Sequence, residues 1–177
     1  MTTNAHEVLR DCEAALQDLR SGVTGLHWRT RWVGAVALLR TVGHVLHKVD
    51  GARSLELRAA VDAAYVELEA TRPEPRIYWE FIEQERNNLL KLYEFGVQQN
   101  VTVRPGGVWW NPATGESGAD PSGPTTYEHL VRDGHFVGQD PRDVVQLAIE
   151  WWQSYLGKVE ERVIKLSVSG SRCSDSG

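Results

Sequence analysis

The chain has 177 residues, 41% hydrophobic and 24% charged, with a formal net charge of −5. Such a balance describes one globular domain long enough to bury a core, and its sign excludes a whole-molecule field that would draw the chain onto nucleic acid or an anionic membrane. Cys12 and Cys173 offer neither metal spacing nor a disulfide framework. The longest apolar run, Trp32 to Leu39, is far short of the roughly 20 residues of a membrane span, and the acidic N-terminus does not read as a signal peptide. A soluble, cytoplasmic protein with no membrane contact is therefore expected.

Taken in chain order, Val8, Cys12, Ala15, Leu16 and Leu19 predict a first amphipathic helix stopped by Ser21 and Gly22. A second runs from about Thr24 to Val49 on the stripe Trp28, Trp32, Ala35, Leu39, Val42, Leu46 and Val49, and Asp50 and Gly51 end it. Ser54 is placed to cap a third, which carries Leu57, Val61, Ala64, Tyr65 and Leu68 as far as Pro73. A fourth begins after Pro75 and ends near Gly96. The stretch "VTVRPGGVWWNP" then pairs two β-prone runs across a Pro-Gly-Gly turn, predicting a hairpin over about 101–111, and a Gly-, Ser- and Pro-rich loop follows over about 112–126. The segment "YEHLVRDGHFVG" carries no assignable pattern. Asp140 as N-cap with Pro141 at the first helical position starts a fifth helix, with Val144, Leu147, Ala148, Trp151, Trp152, Tyr155 and Val159 inward and an end near Lys165. The expected fold is mainly α: a bundle of about five helices with a short β-hairpin between the fourth and fifth, one domain over 1–166, and a disordered tail over 167–177.

Arg40, His44 and His47 fall on one face of the second helix, beside its apolar stripe. That helix is apolar almost all round, so polar side chains on it need partners. Glu85 sits at the centre of the apolar arc that Tyr78, Phe81, Ile82, Leu89, Leu92 and Tyr93 form on the fourth helix. It is the expected partner of Arg40 or His44, with Asn88 one turn on. Two readings of this Arg/His/Glu network follow. It fixes the register of two packed helices, or it equips a cleft for general acid-base chemistry with Arg40, His44, His47 and Glu85 as candidate catalytic groups.

The segment "RTVGHVLH" resembles the motif of HEPN-type helical ribonucleases, an arginine and a histidine with four to six residues between them. The resemblance implies that Arg40 stabilises a scissile phosphate and His47 moves protons in metal-independent RNA cleavage at a dimer interface. Thr41 stands where the family commonly has a polar amide or acid. The segments "RTVGHVLHKVD" and "IYWEFIEQERNNLL" are similar to parts of uncharacterised bacterial helical proteins, which implies a prokaryotic origin.

His44 and His47 are an i, i+3 ligand pair, but no Glu-x-x-His accompanies them and no metal site is assigned. Trp28, Trp32, Trp79, Trp151 and Trp152 read as core. Trp109 and Trp110 are neighbours on a strand and face opposite ways, so one of them is free to edge a ligand pocket. No phosphate-loop or dinucleotide fingerprint is present, and no cofactor is assigned. The function class that follows is a small binding or interaction protein, with a second copy of the chain and a small molecule as candidate partners. Asn88, Trp109 and Trp110 are its candidate pocket residues, and the alternative is a HEPN-like ribonuclease using Arg40 and His47.

Overall fold

The structure, a computed structural model, describes residues 1–22, 24–103, 106–119 and 125–173. Five helices dominate it, with antiparallel strands between the fourth and fifth. Helix α1 (Thr3–Arg20) buries Ala5, Leu9, Cys12, Leu16 and Leu19, the three-and-four spacing of one helical face. Helix α2 (Gly25–Val45) continues without a break into a π-helical turn, Leu46–Asp50. Helix α3 (Leu55–Ala70) starts at Ser54, whose hydroxyl accepts the Leu57 N–H at 3.1 Å. Helix α4 is built from π-helical turns over Ile77–Glu83, one α-turn over Gln84–Asn87, and further π-helical turns over Asn88–Leu92. Helix α5 (Pro141–Cys173) starts at Asp140, whose carboxylate accepts the Arg142 N–H at 2.9 Å.

Helix α2 lies against α1, α4 and α5, and α5 touches all four other helices. The core follows from that arrangement. Trp32, Leu39, Val42 and Ile82 meet Val144, Ala148, Trp152, Leu156 and Val159, all essentially closed to solvent. None of the described helices is long and apolar enough to cross a membrane.

Four expectations need correction. Val49 is exposed and Asp50 buried, because the π-helical turn carries an extra residue and rotates the stripe by one position. Leu92 and Tyr93 are exposed for the same reason at the end of α4, where Tyr93 turns left-handed with φ 55°. Leu147 lies on the far side of α5 from Val144, Val145, Ala148 and Ile149, and is exposed. Finally, α5 runs past Lys165 to Cys173, where a disordered tail was expected from 167; residues 174–177 lie outside the described residues.

The strand pairing also differs from the predicted hairpin over 101–111. Strand β1 (Val97–Val103) pairs not with β2 (Val108–Trp110) but with β4 (Thr125–Val131), while β2 pairs with β3 (Ser117–Ala119). Each pair is a separate two-stranded sheet; the predicted turn includes Pro105, which lies outside the described residues, and the turn between β2 and β3 is at Asn111–Glu116. There the Asn111 N–H donates to the Glu116 carbonyl at 2.8 Å and Gly115 takes the required positive φ of 71°. Of the loop expected over 112–126, residues 120–124 lie outside the described residues. The unassigned stretch from Tyr127 supplies β4 and a turn that buries Phe136.

Asp50 ties the two ends of the α1–α2 pair together. It is fully buried and accepts the Ala5 N–H at 2.8 Å and the Asn4 side-chain amide at 2.8 Å, at a helix start that has no side-chain cap of its own. Asp50→Ala should therefore cost about 1–3 kcal/mol in urea unfolding, whereas Arg53→Ala, which removes a half-exposed contact at 3.8 Å, should cost under about 1 kcal/mol.

Candidate functional site

Arg40, His44 and His47 come together on one cavity of about 530 Å³. Helix α2 supplies these three and Lys48, α3 supplies Tyr65, α4 supplies Tyr78 and Arg86, and α5 supplies Trp152 and Tyr155. The walls approach closely at Gly43, where a Cβ would stand 2.8 Å from the Trp152 ring. No Asp or Glu lines this cavity among the described residues.

The basic side chains are held to different degrees. Arg40 donates to the Tyr78 hydroxyl at 2.9 Å and reaches Glu83 only at 4.0 Å, with a third of its side chain exposed. The His47 Nε2 lies 3.2 Å from the Asp62 carboxylate, which Arg58 also contacts at 3.0 Å, and His47 is again one third exposed. Arg86 donates to its neighbour Asn87 at 2.9 Å. Among the described residues, the side chains of His44 and Lys48 have no hydrogen-bond or ion-pair partner. Burial pushes the Tyr78 hydroxyl up from its ordinary pKa, against the pull of Arg40. Burial, then the neighbouring Tyr78, does the same to Tyr155, and burial does so to Tyr65. All three phenols stay protonated at neutral pH and keep an O–H to donate. Two of the π-helical turns edge the cleft, one carrying His47 and the other Tyr78, and such turns are frequent at functional sites.

Glu85 does not belong to this cleft. It is buried nearer the start of α2, where its carboxylate accepts the Trp32 Nε1–H at 3.2 Å and the Gly96 N–H at 3.1 Å. The expected contact of α2 with α4 around Glu85 is present, but the expected partner, Arg40, is replaced by Trp32. Eight residues separate these two on α2, about 12 Å along the axis, and Glu85 faces the Trp32 end. Gly96 is required there, since a Cβ would fall 2.3 Å from Glu85 Oε2. Asn88 lines the same tight space of about 40 Å³, not the large cavity. Trp110 is 65% exposed on β2, away from both cavities; the side chain of Trp109 lies outside the described residues.

Tyr65, Tyr78, Tyr155, Lys48 and Arg86 are the cleft residues that the sequence reading missed. A tyrosine within an apolar stripe is itself a signal, because its hydroxyl needs a polar outlet. Among the described residues, no group of three or more His, Cys, Asp or Glu side chains is arranged to hold a metal ion. No protein-family model matches the chain, and no curated protein or solved structure is significantly similar to it.

Burial, opposed by the Gly96 and Trp32 donors, raises the Glu85 pKa. The folded state then binds this proton more tightly than the unfolded chain, so the contribution to stability is fully present below the unfolded pKa and is lost as pH rises. The Glu85 contribution should fall from about pH 4.3 up to the raised native value, and Glu85→Gln, which cannot ionise, should lack that component when its urea unfolding is compared with wild type across pH. Gly96→Ala should be destabilised in the same assay.

Proposed function

We propose that this chain is a small soluble binding protein whose cleft takes an anionic, ring-bearing small molecule. The observation that carries the reading is the gathering of Arg40, His44, His47, Lys48 and Arg86 on a cavity without a carboxylate, in a chain whose net charge is −5. Arg40, Lys48 and Arg86 are cations collected against the sign of the whole molecule, and they create a local field for an anion. The volume of about 530 Å³ suits a small-molecule ligand. Arg40, steadied by Tyr78, offers its remaining N–H groups to a carboxylate or phosphate, the tyrosine hydroxyls supply further donors, and Trp152 and Tyr155 provide flat apolar wall for a ring.

Calorimetry with phenyl phosphate, phenol and inorganic phosphate tests this. Phenyl phosphate should bind more tightly than either fragment, and Arg40→Met should weaken it about tenfold or more, the loss of one charge-assisted hydrogen bond. No binding of phenyl phosphate, or binding indifferent to Arg40→Met, would contradict the reading.

A second reading, metal-independent RNA cleavage by Arg40 and His47, is favoured by one observation. His47 opens onto the same cleft as Arg40, with Asp62 at 3.2 Å to orient its imidazole. Against it, seven residues of helix place the two about 10 Å apart along the axis. Cleavage of a varied RNA panel in the presence of a chelator, abolished in folded His47→Ala, would support this reading; the binding reading predicts no cleavage.

A further inference from the structure

The β1–β4 ribbon stands clear of the helices except at its root, where His129 stacks on Trp28 at 3.8 Å and Val131 is buried. Beyond the root, Gln98, Gln99, Asn100, Val101 and Thr102 on β1 and Thr126, Tyr127 and Glu128 on β4 are all exposed. A two-stranded ribbon in water is marginal by itself, and a third or fourth strand is what ordinarily stabilises one. The direction of the free backbone groups follows from the root. Arg132 donates its N–H inward to the Gly96 carbonyl at 2.7 Å, whereas the Val131 N–H and C=O turn outward to Gln139 and Gly138. Alternation along an antiparallel ladder then aims the N–H and C=O of Val97, Gln99, Val101 and Val103 away from β4, at an edge that no described strand pairs.

That edge is uncharged on both sides of Asn100, and only its two ends, Val97 and Val103, are the same residue. Read outward from Asn100 in both directions, the strand VQQNVTV has Gln99 against Val101, Gln98 against Thr102, and Val97 against Val103. It holds no charge and no proline, the usual devices that keep strand edges from pairing. We propose that β1 is a self-recognition surface, pairing antiparallel with β1 of a second copy about a twofold axis at Asn100. This register sets outward-facing residues opposite one another along the whole strand: Val97 against the partner's Val103 and Gln99 against the partner's Val101. Asn100 meets its twin at a position without ladder hydrogen bonds, where two carboxamides both donate and accept. The result is a four-stranded sheet, β4–β1–β1–β4. The other edge is a poor substitute, since Val131 is already occupied there and a twofold at the middle of β4 would set Glu128 against Glu128, a destabilising like-charge pair.

Analytical ultracentrifugation from micromolar to millimolar protein, combined with directed cross-linking in a Cys173→Ser background, tests the pairing. Wild type should show a monomer–dimer equilibrium. Under mild oxidation Asn100→Cys should form a covalent dimer, because paired Cα atoms at a position without ladder hydrogen bonds are about 4.5 Å apart. Gln98→Cys alone should not cross-link, its copies being about 13 Å apart along the strands, but it should cross-link when mixed with Thr102→Cys. Val101→Pro removes only an outward N–H, so it should leave the circular dichroism of the monomer unchanged while weakening the dimer at least tenfold. A monomer at every concentration, a dimer unaffected by Val101→Pro, or cross-linking of Gln98→Cys alone as efficient as that of Asn100→Cys would overturn the proposal.

Discussion

A helix that carries Trp28, Trp32, Ala35, Val36, Leu39, Val42 and Leu46 has apolar surface on several sides, and each large side chain left in water would forfeit about 1.5–3 kcal/mol. Helix α2 is therefore wrapped by α1, α4 and α5, and its polar residues have few directions left in which to reach solvent. Arg40, His44 and His47 emerge along the seam between α3, α4 and α5, and the cavity is the consequence. Gly43 keeps α5 close beneath it, because no side chain fits between α2 and Trp152. The π-helical turn after Val45 completes the arrangement by turning Asp50 inward to hold the start of α1 while leaving His47 and Lys48 on the cleft.

Helix α2 thus divides the polar chemistry of the molecule. Toward the start of the helix lies Glu85, an acid at 7% exposure whose donors are an indole and a backbone amide and whose neighbourhood has almost no free volume. A carboxylate so enclosed locks helix to helix and helix to strand, joining α2, α4 and the residue before β1. Toward its end lies a roomy cleft with cations and protonated phenols, and among the described residues no acid lines it. Only the second has the room and the charge to receive a molecule from solution.

Much of the frame was legible in the sequence. The helical stripes, the caps at Ser54 and Asp140, and the tryptophans of the core are written locally, in spacing and in short-range hydrogen bonding. The face shared by Arg40, His44 and His47 was equally legible, since it depends on one helix alone. The partner of Glu85 was not, because it depends on how α2 and α4 slide past each other. The π-helical turns of α4 undo the constant 100° step on which such a reading relies. The strands failed in another way: β propensity marked Val101–Val103 and Val108–Trp110 as extended, but nothing local says that the first pairs with β4 and the second with β3 across a turn at Gly115. Tyr65 and Tyr155 were hidden in apolar stripes to which their rings belong, although both side chains also line the cleft.

The division of α2 into a first half that meets a closed acid and a second half that lines an open basic cleft is the claim on which the rest stands. A double-mutant cycle on Arg40→Met and Glu85→Leu, read by urea unfolding, tests it most directly. Two side chains with no shared partner should add within about 0.3–0.5 kcal/mol. A coupling energy within that margin is the result the division predicts. A coupling of about 1–3 kcal/mol would show that the arginine and the glutamate belong to one buried network after all, and would contradict it.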